Sequence, residues 1–148
     1  MPTPSFTAVI HLLCAHAGIA DRFGRGLGVL HGLGLNETLM LMHLERAPLN
    51  RLTRVDLAQR LSVSPSTVTR MTAPLEKIGM VGRQSNPRDA RLAYVVLTAA
   101  GGKAIANARR TLEEFAASVF RDRWTEAEIA TLATLLGRLT SGQPGDLA

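Results

Sequence analysis

The chain has 148 residues, 46% of them apolar and 20% charged, with a net charge of +5. That length and apolar content support one compact domain burying about two-thirds of its surface, and they exclude a chain that is disordered throughout. The single cysteine, Cys14, excludes an internal disulfide and fits a reducing compartment.

Residues 2–20 form the longest uncharged stretch and contain His11 and His16. It is marginal for a bilayer span, which needs about 20 apolar residues. It also lacks the basic start and small-residue cleavage site of a signal peptide. A buried helix is expected, in a cytoplasmic protein with no membrane partner. Within residues 6–23, Phe6, Ile10, Leu13, Ala17 and Ala20 form a helical stripe, widened by Leu12, Cys14 and Ile19. A helix apolar on most sides must be covered on most sides, a demand a second chain can meet.

A glycine-rich stretch follows (Gly24, Gly26, Gly28, Gly32, Gly34). Its spacing is not that of a nucleotide loop, because His31 stands where G-x-G-x-x-G requires glycine and no strand precedes it. A flexible link or a loosely ended helix is expected. Asn36 is a candidate cap for a helix reaching Arg46, and Pro48 ends that region. Thr53 and Asp56 have capping-box spacing and open a short helix with Val55, Ala58 and Leu61 inward. Ser62-Val63-Ser64 reads as a tight turn. Ser64 then caps a second helix, with Pro65 at its first position and Gly79 as its stop. Val68, Met71, Leu75 and Ile78 are expected inward, and Pro74 is expected to kink the helix. Residues 80–84 and 93–97 read as two strands around a turn-rich tip, Ser85-Asn86-Pro87-Arg88-Asp89. Thr98 caps a long helix reaching about Arg123, in which Ile105, Ala108, Leu112, Phe115 and Val119 recur every three or four residues. Thr125-Glu126-Ala127-Glu128 is a capping box for a last helix carrying Ile129, Leu132, Leu136 and Leu139.

The charge is not spread evenly. Between Arg46 and Arg91 stand nine basic and three acidic residues, so this third of the chain carries +6 and the remainder −1. A basic block inside a folded chain is the footprint of a phosphate-binding surface. Aromatic residues are only 4% of the chain, and Tyr94, just past Arg91, is the one nearest the block. That favours duplex DNA over single strands, which are held by stacking platforms.

Short helix, tight turn, helix and basic-tipped hairpin make a helix-turn-helix with a wing. The face of the second helix opposite its apolar residues carries Ser66, Thr69, Arg70, Ala73 and Lys77, with Thr67 at the flank and Glu76 only at its far edge. Small side chains let such a helix enter a major groove about 12 Å wide. Arginine can pair bidentately with guanine, and a Thr or Ala methyl can meet thymine. Ser64, Ser66 and Thr67 with the first-turn amides suit phosphates.

The runs Ser64-Pro65-Ser66-Thr67-Val68-Thr69-Arg70, Leu75-Glu76-Lys77-Ile78-Gly79-Met80-Val81-Gly82-Arg83, Pro87-Arg88-Asp89-Ala90-Arg91 and Val95-Val96-Leu97-Thr98-Ala99-Ala100-Gly101 resemble the MarR family of bacterial transcriptional regulators. The likeness implies a mainly α fold with a small β-wing: a winged helix-turn-helix lobe (36–98) with N- and C-terminal dimerisation helices (5–24 and 99–140) in one domain, 1–148. It implies a homodimer on a palindromic double-stranded operator. Contact residues carry over onto Ser64, Pro65, Ser66, Thr67, Thr69 and Arg70. The wing arginine carries over onto Arg91, held by Asp89, with Arg88 beside it. Ala73 joins them from the reading of the helix face, and Arg54 from charge and position as a backbone contact. The resemblance further implies a repressor released by a small aromatic effector where the dimer helices meet the DNA lobe.

Two other readings stand beside this one. Some relatives sense peroxide through a cysteine on the first helix, which makes Cys14 a candidate redox switch; its apolar neighbours Leu12, Leu13, Ala15 and Ala17 argue instead for a structural thiol. A winged helix can also serve as a protein-interaction module without DNA, but that predicts an acidic or apolar recognition face. No metal cofactor is implied, because His11, Cys14 and His16 lack the spacing of a zinc site. The chain carries no G-x-S-x-G, H-E-x-x-H or paired-cysteine motif, so no enzyme is expected.

Overall fold

In a computed structural model of the protein, residues 1–89 and 91–147 are described; Ala90, in the wing run, and Ala148 lie outside them. Six helices and three short strands follow one another: α1 Pro4–His31, α2 Leu35–Arg46, β1 Arg51–Thr53, α3 Arg54–Leu61, α4 Pro65–Lys77, β2 Val81–Ser85, β3 Ala93–Leu97, α5 Ala99–Val119 and α6 Glu126–Thr140.

The glycine-rich stretch is not a link. Helix α1 runs through Gly24, Gly26 and Gly28 and stops only at Gly32, whose φ of 65° sets the left-handed cap. The reason is packing against α5. A Cβ on Gly26 would lie 2.2 Å from the Phe115 ring, and Phe23 meets the same ring edge-on at 5.7 Å. Leu27 is fully buried, and His31 Nε2 lies 2.7 Å from Thr111 Oγ1. The missing side chain at Gly26 lets α1 and α5 approach closely, and the contacts this permits outweigh glycine's low helix propensity.

The amino-terminal half of α1 is likewise not a buried helix. Phe6, Val9 and Leu13 are more than half exposed, because α1 meets the rest of the chain through its carboxyl-terminal half. Cys14 is exposed with them. Helix α6, opened by the Thr125 capping box as expected, buries no residue.

Helix α2 starts two residues earlier than Asn36 suggested. Gly34 is its cap residue, and Glu37 reaches back to accept from the Gly34 amide at 2.8 Å. Leu33, Met40, Leu41 and Leu44 from this region form the core with Leu57, Val68 and Ile105. In α3 it is Leu57 and Ala58 that are buried, while Val55 is 53% exposed. Capping by Thr53, whose Oγ1 accepts from the Asp56 amide at 3.1 Å, places Val55 in the first turn on the outer side. In α4, Thr72 is buried beside Val68 and Leu75, and Ile78 is exposed. Ile78 has left the helix: it is the cap before Gly79, whose φ is 80°. The Met80 amide bonds the Leu75 carbonyl and the Gly79 amide that of Glu76, which is a Schellman ending. The helix continues through Pro74 to Lys77.

The strands form one antiparallel sheet in the order β1-β3-β2. Arg83 pairs with Val95 across the β2–β3 hairpin, and Leu52 of β1 pairs with the same Val95 on its other side. Helix α5 begins at the base of this sheet and ends at Val119, short of Arg123. Thr98 caps it by accepting from the Gly101 amide at 3.1 Å.

Candidate nucleic-acid interface

Helix α4 presents its amino-terminal turn outward. Ser64 is the cap, its Oγ accepting from the Thr67 amide at 3.2 Å and lying 2.9 Å from both Ser66 Oγ and Thr67 Oγ1. Ser64, Pro65, Ser66, Arg70 and Ala73 are exposed, and Thr67 and Thr69 are half-buried. Three hydroxyls thus open a helix whose outward face has no acid before Glu76. Glu76 is itself occupied, accepting from Arg83 Nε of β2 at 2.9 Å. That ion pair ties the wing to the far end of α4.

The turn between α3 and α4 hinges on Ser62, which takes φ 53°. The Val63 amide returns to the Ala58 carbonyl at 3.0 Å, so the turn is fixed by backbone bonds. Arg54, on the first turn of α3, donates from Nη1 to Thr69 Oγ1 at 3.0 Å. Thr69 in turn donates to the Pro65 carbonyl at 3.2 Å.

At the wing tip, Asn86 Oδ1 accepts from the Arg88 amide at 2.9 Å and Asp89 Oδ1 from the Arg91 amide at 3.0 Å. The expected support by Asp89 is therefore a grip on the Arg91 backbone and not on its guanidinium. Arg88 and Arg91 are both exposed. Arg54, Thr69, Arg83, Arg91 and Tyr94 line one cleft of about 520 Å³ between α3, α4 and the sheet. The structure thus gathers Arg54, Thr69 and Arg91 into one hollow. Ser64, Ser66, Thr67, Arg70 and Ala73 lie along the helix outside it, and Arg88 is at the tip.

Two residues at this surface escaped the sequence reading. Arg51 stacks over Tyr94, 4.4 Å from the ring centroid, and donates to Gln84 Oε1 at 2.7 Å. Arg83 makes the wing–helix ion pair. Both depend on the β1–β3–β2 register, and β1 is three residues long, too short for an alternating pattern to announce it. Among the described residues, no group of three or more His, Cys, Asp or Glu could hold a metal ion, and no helix is long and apolar enough to cross a membrane.

A two-helix motif followed by a hairpin with a cationic tip defines a winged helix-turn-helix protein. Residues 33–92 match the MarR family model. The fold agrees over nearly the whole chain. A MarR family transcriptional regulator of Streptomyces coelicolor, Sco3205, solved in complex with DNA, is 23% identical with a TM-score of 0.80, covering 96% of this chain and 89% of that one. MarR of E. coli in its apo form is 25% identical with a TM-score of 0.77, covering 94% and 98%. An uncharacterized HTH-type transcriptional regulator of Bacillus subtilis, YcgE, is 30% identical over 87 residues, which are 59% of this chain and 56% of that one. The chain thus matches little more than half the length of that curated relative. Residues 33–92 thus match the MarR family, on a winged helix-turn-helix fold shared with solved MarR family structures.

Proposed function

We propose that the chain is a sequence-specific regulator of transcription that binds double-stranded DNA as a homodimer in the cytoplasm. The observation that carries this reading is the exposed, acid-free outer face of α4, capped by Ser64 and presenting Thr69 and Arg70, beside a wing bearing Arg88 and Arg91. In this reading α4 enters a major groove, Arg70 and Thr69 read base edges, Ser64, Ser66 and Thr67 hold phosphate, and the wing arginines follow the neighbouring backbone and minor groove. Ala73 lies where a methyl contact to thymine fits. The domain division into a DNA lobe and flanking dimer helices is supported by the exposed apolar faces of α1 and α6. The complex of Sco3205 with DNA supports the ligand class by analogy.

We further propose repression relieved by a small aromatic effector. Its site is a cavity of about 760 Å³ between α1, α2 and α5, walled by Phe23, Leu35, Leu39, Met42 and Leu112 and rimmed by the Glu45–Arg109 ion pair. It lies where the flanking helices meet the DNA lobe, so an occupant there bears on the spacing of two lobes.

The test is fluorescence anisotropy with labelled duplex from the region upstream of the coding sequence, against a random duplex of equal length, over a salt series. Specific binding that is tighter than random, with log affinity falling linearly in log salt, is the expected result. Equal affinity for both duplexes would leave only a general polyanion binder.

A further inference from the structure

The segment that follows α6 turns back onto the DNA lobe. Gly142 takes φ 78° and the Gln143 amide donates to the Thr140 carbonyl at 2.8 Å, reversing the chain. Arg60, in the last turn of α3, donates from Nη1 to the Pro144 carbonyl at 3.1 Å. Gly145 then lies so close to α3 that a Cβ there would stand 2.5 Å from the Arg60 carbonyl oxygen. Two residues on, Leu147 is half-buried and completes the wall of the cavity between α1, α2 and α5. Gly145 and Leu147 are the inward pair of an alternating segment whose neighbours Pro144 and Asp146 are exposed or on the rim. A helix that buries none of its own residues is thereby fastened to the first helix of the helix-turn-helix.

We propose that residues 142–147 are an intramolecular strap and that the α1–α2–α5 cavity is its docking site, with Leu147 as the apolar anchor. The strap couples α6 to α3 through Arg60, and Leu147 walls the volume that an apolar ligand would fill. Docking rests on the contacts above; its consequence for a small aromatic molecule rests on the effector reading of the same cavity. The seat at Gly145 requires glycine, since any side chain meets backbone that cannot move aside.

Methyl-labelled full-length protein tests docking by nuclear magnetic resonance. Leu147 methyls should show cross peaks to methyls of Leu35, Leu39, Met42 or Leu112, and Gly145→Val should abolish them while leaving the core methyl pattern intact. Absence of these cross peaks in the unaltered chain, or their survival in Gly145→Val, would overturn the strap. The fluorescent probe 1-naphthol then tests the wall: Gly145→Val and Leu147→Asp should each bind it at least threefold more weakly than the unaltered chain. Equal affinity in all three would overturn the part Leu147 plays in that site. Binding to none of them, with the cross peaks behaving as expected, upholds the strap and overturns the effector reading of this cavity.

Discussion

Arg54 and His43 show how one side chain takes its role from what it touches. Charge and position alone make Arg54 a general phosphate contact, whose loss would weaken all duplexes alike. Its hydrogen bond to Thr69 gives it a second task, fixing the rotamer of a side chain proposed to read base edges. Arg54→Ala should therefore reduce discrimination between the operator and duplexes changed at the base opposite Thr69, by about 0.5–1.5 kcal/mol, the net worth of a hydrogen bond. Arg70→Ala should cost about 1–3 kcal/mol on the operator and less on random DNA. Competition with single-base operator variants measures both, and a uniform loss for Arg54→Ala would return it to the phosphate class. His43 is buried, 2% exposed. Burial, then the charges of Arg60 and Arg46, lower its pKa from 6.5 to about 4. The folded protein holds this imidazole neutral while the unfolded chain takes up a proton below pH 6.5. Its contribution is thus whole above pH 6.5 and is lost as pH falls towards 4, by at most about 3 kcal/mol. Urea midpoints at pH 7 and pH 5 should differ by more in the unaltered chain than in His43→Gln, in which that proton is absent. Equal differences would mean that His43 is accessible to protons when folded.

At the scale of elements, legibility followed the strength of local chemistry. The caps at Thr53, Ser64, Thr98 and Thr125 were all readable, because a hydroxyl three residues before a free amide needs no tertiary contact to act. The stop at Gly79 was readable for the same reason. The candidate site inherits this clarity, since α4 begins at one such cap and ends at one such stop. What the sequence concealed depends on distant partners. Gly24, Gly26 and Gly28 look like a break until Phe115, some ninety positions on, packs its ring where a Gly26 side chain would stand. Val55 and Ile78 carry the right periodicity and still face outward, because each sits at a helix end where the chain has not yet entered, or has already left, the packed face. Gly101 belongs to the same concealed class. A Cβ there would stand 2.1 Å from the Met80 carbonyl oxygen and 2.7 Å from a Leu97 methyl. That glycine lets the start of α5 press onto the base of the wing. Gly101→Ala should lower the thermal midpoint and loosen the wing, at about 1–3 kcal/mol. Gly102→Ala, where open space surrounds the new methyl, should be neutral or stabilising. Scanning calorimetry on the pair checks this, and an equal response would mean that the close approach is not rigid.

The whole molecule presents a contrast between a well-filled lobe and two bare helices. Leu13 on α1 is 59% exposed and Leu139 on α6 is 63% exposed, and each apolar side chain of this size gains about 1.5–3 kcal/mol on burial. A second copy of the chain is the occupant proposed for these faces, and a pair of lobes would suit a two-part operator. Joining two lobes makes the second half-site contact intramolecular, at an effective concentration in the millimolar range, and so raises overall affinity by about 10²–10⁴ without a new protein–DNA contact. Leu13→Asp with Leu139→Asp should therefore do two separable things. Sedimentation should show a dimer converted to a monomer whose circular dichroism retains the helices of the lobe. Affinity for a duplex with two half-sites about 10 bp apart should fall by about 10²–10⁴, while affinity for a single half-site falls little. A variant that stays dimeric would mean that these faces are covered by something other than the partner chain. A monomer that still binds the paired sites as tightly as the unaltered chain would mean that the two lobes do not act together on one duplex.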